Sequence, residues 1–462
     1  MRRVAFHFSL VPLLALAGVL LLPHPATAQA AGIDLARARQ YFEEARALCG
    51  RDGGKLWGIS LCGPVIFVDQ STRAVVASQA DGESRLARAD DVFTGRFPED
   101  QNIGNTAMQW AGVHWTMMMW PLPEDAVERA RLMAHEMFHR VQEQLGFPMP
   151  NVLCAHLDTR EGRIWLRLEW RALRAALLAD GDARRRAVLD ALLFRAQRRA
   201  LFPEAAADEG ALEMNEGLAE YTGLKLNGTP RAETLAFLAK RLEEAEKRRS
   251  FVRQFAYETG PAWGLLLDDS AADWRKKLKP TDDLAAVLSR ALSLALPAAP
   301  GTAAEQRKDL PAPRLRSGST AAEERAKAYD GDALRAAEVS REEEQKKRER
   351  EYRARLMDAP VLVLPLSGKI GLSFDPYAVV SLGGTGTVYA TLRVTAPWGI
   401  LEVSGGALVA NKEGKMAHVC VPAPADPAAR PLRGEGWTLE LTPGWTLAPG
   451  ERKGDFVLRK SE

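Results

Sequence analysis

Cysteine is scarce in this chain: four cysteines occur in 462 residues, and none of them stands in C-x-x-C spacing. That scarcity argues against a zinc site built from cysteines. An excess of one charge is missing as well, since 62 Lys and Arg residues face 60 Asp and Glu residues and leave a formal net charge of +2. The composition therefore gives no reason to expect binding to nucleic acid or to an anionic membrane. The chain also has no long internal repeat.

The bulk composition is typical of soluble globular proteins, with 46% hydrophobic and 26% charged residues. We expect an α+β protein of two or three domains, beginning with a small N-terminal sheet and a mainly helical body over residues 31–296. A linker and a charged helix should follow over residues 297–358, with the helix solvated rather than acting as an interaction arm. Alternating apolar residues then predict a small β-sandwich or barrel over residues 359–462.

The N-terminus has the pattern of a secretory signal peptide over residues 1–30. Arg2 and Arg3 precede an apolar stretch at Leu10–Leu22, and small residues then offer cleavage sites near Ala28 or Ala30. The stretch is short for a bilayer span, which needs about 20 residues, although an uncleaved anchor is the alternative. No second segment resembles a transmembrane helix. We therefore expect an exported protein, periplasmic or extracellular, without stable membrane insertion after cleavage.

Export changes the meaning of the cysteines, because oxidising compartments permit disulfides. Cys49 and Cys62 are close enough in sequence to close a small loop, and we favour a bridge between them. Cys154 and Cys420 could pair across domains, or each could be a buried thiol, and the sequence does not decide between these alternatives.

The segment His135-Glu136-Met137-Phe138-His139 carries the chemistry of a hydrolytic zinc site. Two residues four apart on a helix are neighbours, about 5–6 Å apart at Cβ, so both imidazoles can reach one ion. Glu136 then lies beside the metal without occupying a ligand position. The alternative is a surface helix that contains two histidines by chance. Apolar periodicity after Asp125 supports the metal-binding helix, which Gly146 should end.

A third ligand is needed, because catalytic zinc sites usually have three protein ligands and a water. Glu213, Glu216 and Glu220 form an acidic stripe at helical spacing, and an ordinary stripe of this kind would be a solvated face. Gly217 removes a side chain from it, and should let this helix approach another closely.

The segment Asn215-Glu216-Gly217-Leu218-Ala219-Glu220-Tyr221 resembles the N-E-G-x-A-x-Y segment of gluzincin metallopeptidases, particularly the aminopeptidase-N-like and peptidase-MA-like families. The resemblance implies that Glu216 is the third ligand of one Zn²⁺ beside His135 and His139. It also implies that Glu220, with Asn215 close by, supports the ligands, the carboxylate holding an imidazole in its correct tautomer. Residues 31–296 would then be a gluzincin-like catalytic domain.

Downstream, Tyr257-Glu258-Thr259-Gly260 is similar to the Y-E-x-G segment of the aminopeptidase-N-like enzymes. The similarity implies that the Tyr257 hydroxyl donates to the oxyanion formed when water attacks a carbonyl. A half-buried core tyrosine is the alternative. The resemblance covers residues 112–267, and the long interval between His139 and Glu216 predicts an inserted helical pair at 163–201 that covers or shapes the cleft.

One departure limits the resemblance. The aminopeptidases have a G-A-M-E-N segment whose carboxylate binds the substrate's amino terminus, whereas the nearest segment here, Thr106-Ala107-Met108-Gln109, has an amide at that position. Aminopeptidase activity is therefore not expected. The other histidines weighed, His114 and His156, are expected to be packing or surface residues rather than ligands.

The sequence as a whole favours an exported zinc-dependent hydrolase that cleaves peptide bonds in a peptide or protein substrate. Glu136 would take a proton from the attacking water and pass it to the leaving amine. The strand predicted at 112–120 could pair with an extended peptide at a sheet edge. A catalytically silent peptidase-like binding module, or a zinc hydrolase of a non-peptide amide or ester, are the alternatives. The sequence does not indicate the oligomeric state.

Acidification should remove the metal, because protons compete for the neutral imidazoles of His135 and His139. From the unperturbed imidazole pKa of about 6.5, we expect zinc content and activity to fall as the pH drops below about 6. Zinc content measured after equilibration across the acidic range checks this expectation. A content that stays constant down to about pH 4 would contradict the assignment of imidazole ligands.

Overall fold

The computed structural model describes residues 32–294 and 317–460, apart from residues 148, 151, 369, 376, 377, 413 and 414, and the side chains of 317–320. The expected signal peptide and most of the expected linker lie outside the described residues. The chain is 46% helical and 22% strand, with a small N-terminal sheet, a helical middle and an all-β C-terminal region. The α+β layout expected from the sequence is therefore confirmed.

The N-terminal region consists of one helix and a six-stranded sheet of order β3-β4-β2-β1-β6-β5. Its elements are α1 (Leu35–Asp52), β1 (Val65–Asp69), β2 (Ala74–Ala77), β3 (Ala87–Ala89), β4 (Val92–Arg96), β5 (Thr106–Trp110) and β6 (Val113–Trp120). Strand β6 pairs in parallel with β1 and antiparallel with β5.

The expectation that the strand at 112–120 offers a free edge is wrong. β5 covers β6 on one side, so the edge of the sheet belongs to β5. The hairpin that joins them turns at Ala111 and Gly112, whose φ angles are +48° and +75°. Positive φ at both central residues is the geometry of a tight two-residue hairpin turn. An alanine in the left-handed region is uncommon, so this turn is hard to predict from the sequence.

The helical middle is built from a series of helices. They are α2 (Ala126–Gln142), α3 (Arg160–Leu178), α4 (Gly181–Leu201), α5 (Ala205–Leu212), a π-helical segment (Glu213–Gly217), α6 (Leu218–Leu226), α7 (Arg231–Ala245), α8 (Ala256–Ser270), α9 (Trp274–Lys277) and α10 (Leu284–Ala291). Helix α2 begins after Asp125, whose carboxylate accepts from the amide of Glu128 at 2.9 Å. Such a cap satisfies an amide that has no partner within the helix.

The π-helical segment is anchored to α4 by buried ion pairs. Arg195 donates to Glu213 at 2.9 Å and to Glu169 of α3 at 3.0 Å. One turn further along, Arg198 donates to Glu209 at 2.7 Å and also contacts Glu169. All five side chains are nearly inaccessible to solvent. Glu213 therefore does not belong to a solvated acidic face, because α4 provides its counterion.

The charged helix after the linker is α12 (Gly331–Arg353), which follows α11 (Ser317–Ala326). The expectation of a simply solvated helix is wrong in one respect. Glu338 is 0% exposed and accepts hydrogen bonds from Arg163 and Arg167 of α3, as well as from Arg341 of its own helix. One face of α12 is therefore packed on the helical body.

The C-terminal region is a β-sandwich. Its strands are β7 (Val361–Pro365), β8 (Gly371–Phe374), β9 (Val379–Ser381), β10 (Gly386–Tyr389), β11 (Leu392–Ala396), β12 (Gly399–Val403), β13 (Ala407–Lys412), β14 (Lys415–Pro422), β15 (Leu432–Gly434), β16 (Trp437–Leu441), β17 (Trp445–Pro449) and β18 (Phe456–Lys460). They form sheets of order β17-β18-β7-β14-β13-β10-β9 and β15-β16-β12-β11-β8. Buried residues of both sheets, such as Leu364 and Val419 opposite Val394 and Leu401, share one core.

Cys49 and Cys62, the pair favoured from the sequence, form a disulfide with an S–S distance of 1.97 Å. Cys154 and Cys420 are not paired, and each is a buried thiol. Within the described ranges, no helix has both the length and the apolar character needed to cross a bilayer.

Replacing Glu338 by alanine should destabilise the protein, because the buried guanidinium of Arg163 and the partly buried one of Arg167 would lose their shared carboxylate. Breaking a buried ion pair from one side costs about 3–5 kcal/mol. Glu343 is exposed on the same helix, so Glu343→Ala is the matched control and should change stability little. Denaturant unfolding of both variants measures the difference. Equal stabilities of the two variants would show that α12 is not held to the body by Glu338.

Candidate metal centre

His135 and His139 face each other on the buried side of α2. Their side chains are 7% and 9% exposed, and their Nε2 atoms lie 3.1 Å apart. The expected helical spacing of four residues therefore brings both rings to one point, as the sequence predicted.

Glu216 meets the two histidines from the π-helical segment. Its Oε2 lies 3.7 Å from Nε2 of His135 and 3.5 Å from Nε2 of His139. A π-helical turn inserts an extra residue into a helix and is frequent at functional sites. His135, His139 and Glu216 form the one potential metal-binding group among the described residues.

The spacing of these three atoms fits a zinc ion. Zinc binds imidazole nitrogen at about 2.0–2.1 Å and carboxylate oxygen at about 2.0–2.2 Å, so neighbouring ligand atoms of a tetrahedral site are about 3.3 Å apart. The three separations of 3.1, 3.5 and 3.7 Å lie on both sides of that value. The side chains need no large rearrangement to hold an ion of this size.

Both imidazoles are oriented by acceptors on their other nitrogen. His135 Nδ1 lies 3.1 Å from Glu220 Oε2, and His139 Nδ1 lies 2.8 Å from Gln142 Oε1. Gln142 in turn donates from Nε2 to Asn215 Oδ1 at 3.1 Å. These acceptors favour a proton on Nδ1, as is usual for histidines that bind metals through Nε2. The Nε2 lone pairs then point at each other, a repulsion that a proton or a metal ion between them would relieve.

The electrostatics of the cluster favour positive charge. Burial acts to lower the pKa of His135, yet Glu216 and Glu220 together raise it to about 10. Burial likewise opposes ionisation of Glu216, but its contacts with His135 and His139, together with the charge of Arg253, hold its pKa well below the ordinary value. Two carboxylates are thus kept ionised beside the imidazoles. Proton competition for His135 accordingly begins at a higher pH than an unperturbed imidazole implies.

Glu136, the expected base, lines the cavity, and one of its carboxylate oxygens has no hydrogen-bond partner. Its side chain is buried, and Oε2 makes no hydrogen bond. Burial raises the pKa of its carboxyl above the ordinary value, and the nearby charge of Glu216 adds to that rise, while His135 and His139 oppose it. A buried carboxylate oxygen without a partner is costly, and a water or substrate proton in the cavity would satisfy it.

Tyr257 lies at the centre, but its hydroxyl is engaged with a ligand. It donates to Glu216 Oε2 at 2.6 Å, and its ring stacks on His135 at a centroid distance of 5.7 Å. The side chain is half-buried, as the alternative of a core tyrosine expected, but it also contacts the cluster directly. Its expected role toward an oxyanion stays a prediction.

The sequence did not identify four side chains that complete the centre. Gln142 had a local signal, because it lies three residues after His139 on the same helix face. Arg131 and Arg241 both bind Glu220, and Arg253 binds Glu216 at 2.7 Å. The arginines had no such signal, because their partners lie far away in the sequence.

Gly217 allows the π-helical segment to touch α8. A Cβ atom on Gly217 would lie 2.8 Å from Cα of Gly260, and one on Gly260 would lie 2.3 Å from Cα of Gly217. This is the close approach predicted from the sequence. Because Gly217 follows Glu216 directly, the contact also fixes the backbone that presents the ligand.

The centre opens into a cavity of about 1380 Å³. Its walls come from the N-terminal sheet, from α2, α7 and the start of α8, and from the β-sandwich. None of the described lining residues lies between 151 and 214. The expectation that helices at 163–201 cover or shape the cleft is therefore wrong: α3 and α4 support the π-helical segment from behind.

His114, His156 and Gln109 lie away from the cluster. His114 is in β6 opposite Gln109, and His156 contacts Glu209 at 2.8 Å. Gln109 is exposed and does not line the cavity, so the segment nearest in sequence to G-A-M-E-N, residues 106–109, contributes only Thr106 to the lining.

The chain matches no protein-family model, no curated protein and no solved structure with which it was compared. The geometry of the cluster is therefore the main indication of its function.

Glu220→Gln should weaken zinc binding about 10–100-fold, the usual effect of losing a carboxylate that orients a ligand imidazole. The fold should survive, because Arg131 retains Glu128 and Arg241 retains Glu258 as partners. Glu128→Gln is the control, since it removes a charge from the same Arg131 without touching a histidine. Competition with a chelator measures both affinities. Equal zinc affinity in the two variants would contradict the role given to Glu220.

Proposed function

We propose that this protein is an exported zinc hydrolase of the gluzincin type that cleaves peptide bonds. The observation that carries the proposal is the convergence of His135, His139 and Glu216 at the spacing of zinc ligands, with the unpartnered oxygen of Glu136 beside them. Structural zinc sites usually have four protein ligands, whereas a set of three with a base alongside is typical of catalysis.

In this proposal, His135, His139 and Glu216 would hold a zinc ion, which would supply a water of lowered pKa, about 7, and a Lewis acid for the scissile carbonyl. Glu136 accepts the proton of the attacking water at Oε2 and delivers it to the leaving amine. Its raised pKa suits this exchange, because a general base works best when its pKa approaches the working pH. The Tyr257 hydroxyl, which lies beside Oε2 of Glu216, is the candidate donor to a developing oxyanion.

The cavity supports a peptide rather than a small molecule as substrate. Its volume of about 1380 Å³ exceeds the roughly 300–1,000 Å³ of ordinary ligand pockets. Asn105 and Thr106, at the start of the edge strand β5, line it. An extended peptide can add to such an edge by backbone hydrogen bonds. The Cys49–Cys62 disulfide supports the export component, since disulfides persist in oxidising compartments.

The proposal is tested first by metal content. Wild-type protein should hold one zinc per chain, and His139→Ala or Glu216→Ala should lose it. His114→Ala and Glu244→Ala are matched controls outside the ligand set and should keep it. A Glu216→Ala variant that binds zinc as tightly as the controls would overturn the three-ligand assignment.

Hydrolysis is the second test. Glu136→Gln should keep zinc but lose activity by about 10²–10⁴-fold, the usual contribution of a general base. Internally quenched peptides with acetylated amino termini are suitable probes, because no group for a free amino terminus is expected. Unchanged cleavage by Glu136→Gln, or zinc-loaded wild-type protein that cleaves none of a diverse peptide set, would count against the proposal.

A further inference from the structure

Arg253 holds the metal ligand Glu216 by the oxygen that faces away from the histidines. Its Nη2 donates to Oε1 at 2.7 Å, whereas Oε2 is the atom near His135 and His139. The Arg253 side chain is 15% exposed, and both residues line the cavity. The two oxygens of Glu216 therefore have different partners.

The segment that carries Arg253, residues 249–255, is fixed to the helical body. Asp158 accepts from the Ser250 hydroxyl at 2.7 Å and from the Phe251 amide at 2.8 Å. The Phe251 ring packs between Trp170, at a centroid distance of 4.8 Å, and the guanidinium of Arg163, at 3.6 Å. This side of the segment has little freedom to move.

The same segment is also fixed to the β-sandwich. Val252 is 3% exposed and belongs to the hydrophobic core of the sandwich, together with Val379 and Tyr389. Burial raises the pKa of the Tyr389 hydroxyl, and the positive charge of Arg253 opposes that rise. Val252 is thus inserted into the core of the β-sandwich, while the next residue, Arg253, reaches Glu216.

We propose that Arg253 is a positioning residue that restricts Glu216 to binding metal through one oxygen, and that the β-sandwich keeps Arg253 in place through Val252. The inference rests on the proposed function, because it concerns the same metal centre. It gives the sandwich a definite part in the chemistry.

The physical reason lies in the number of metal ligands. Three protein ligand atoms leave the fourth tetrahedral position for a water. A carboxylate can also bind a metal through both oxygens, and the second oxygen would then compete for the water's position. A guanidinium that holds Oε1 prevents this, because a charge-assisted hydrogen bond both occupies and orients that oxygen.

Arg253→Met tests the positioning role, with Arg249→Met as the control. Arg249 is exposed in the same segment, and its backbone oxygen accepts a hydrogen bond from Arg163, while its side chain has no hydrogen bond or ion pair with the described residues. We expect zinc affinity, measured by chelator competition, to fall about 10–100-fold in Arg253→Met and to remain unchanged in the control. In the cobalt(II)-substituted protein, the visible absorption of Arg253→Met should weaken, because intensity falls as coordination number rises. Arg253→Lys should restore part of the zinc affinity and part of the cobalt absorption.

Val252→Ala tests the contribution of the sandwich, with Val419→Ala as its control in the same core. Both should lower the melting temperature, but only Val252→Ala should weaken the cobalt absorption. If both variants keep the wild-type spectrum, the sandwich does not hold Arg253.

Wild-type protein in the same titrations distinguishes a failure of the proposed function from a failure of the positioning role. If it binds neither zinc nor cobalt, the proposed function falls and this inference falls with it. If it binds both metals and Arg253→Met matches it in affinity and spectrum, only the positioning role is overturned.

Discussion

The close approach of His135, His139 and Glu216 is the constraint on which the rest of the centre depends. Two imidazole nitrogens 3.1 Å apart, each with its proton directed elsewhere, repel each other unless a positive charge lies between them. The carboxylate beside them favours the same charge. A proton can supply it in part, as the raised pKa of His135 indicates, but three ligand atoms at these distances suit a metal ion better.

Keeping the carboxylates ionised in a buried site requires counterions, and the surrounding helices provide them. Arg131 and Arg241 bind Glu220, and Arg253 binds Glu216. A buried charge without a partner costs roughly several kcal/mol. Each arginine therefore stabilises the fold as well as the geometry of the carboxylate that it binds. The β-sandwich joins this arrangement through the segment that carries Arg253. Site and scaffold are therefore not separable parts of the protein.

Features that depend on residues close together in the sequence were predicted, whereas features that depend on contacts between distant segments were not. His135, Glu136 and His139 were predictable because helical spacing alone brings them together, and Gly217 because a missing side chain has a local meaning. Glu216 needed the resemblance of a motif. The partners of Glu338 could not be predicted, because Arg163 and Arg167 lie in a distant helix. The free edge of the sheet was misassigned for a related reason, since the hairpin that covers β6 turns through an alanine with positive φ.

The central claim is that one zinc lies between His135, His139 and Glu216. Anomalous diffraction from crystals of the zinc-loaded protein, collected on both sides of the zinc edge, tests it most directly. We predict a single zinc peak about 2.0–2.2 Å from Nε2 of both histidines and from Oε2 of Glu216, with a water in the remaining position. A peak elsewhere, or no zinc peak at these three atoms, would contradict the account.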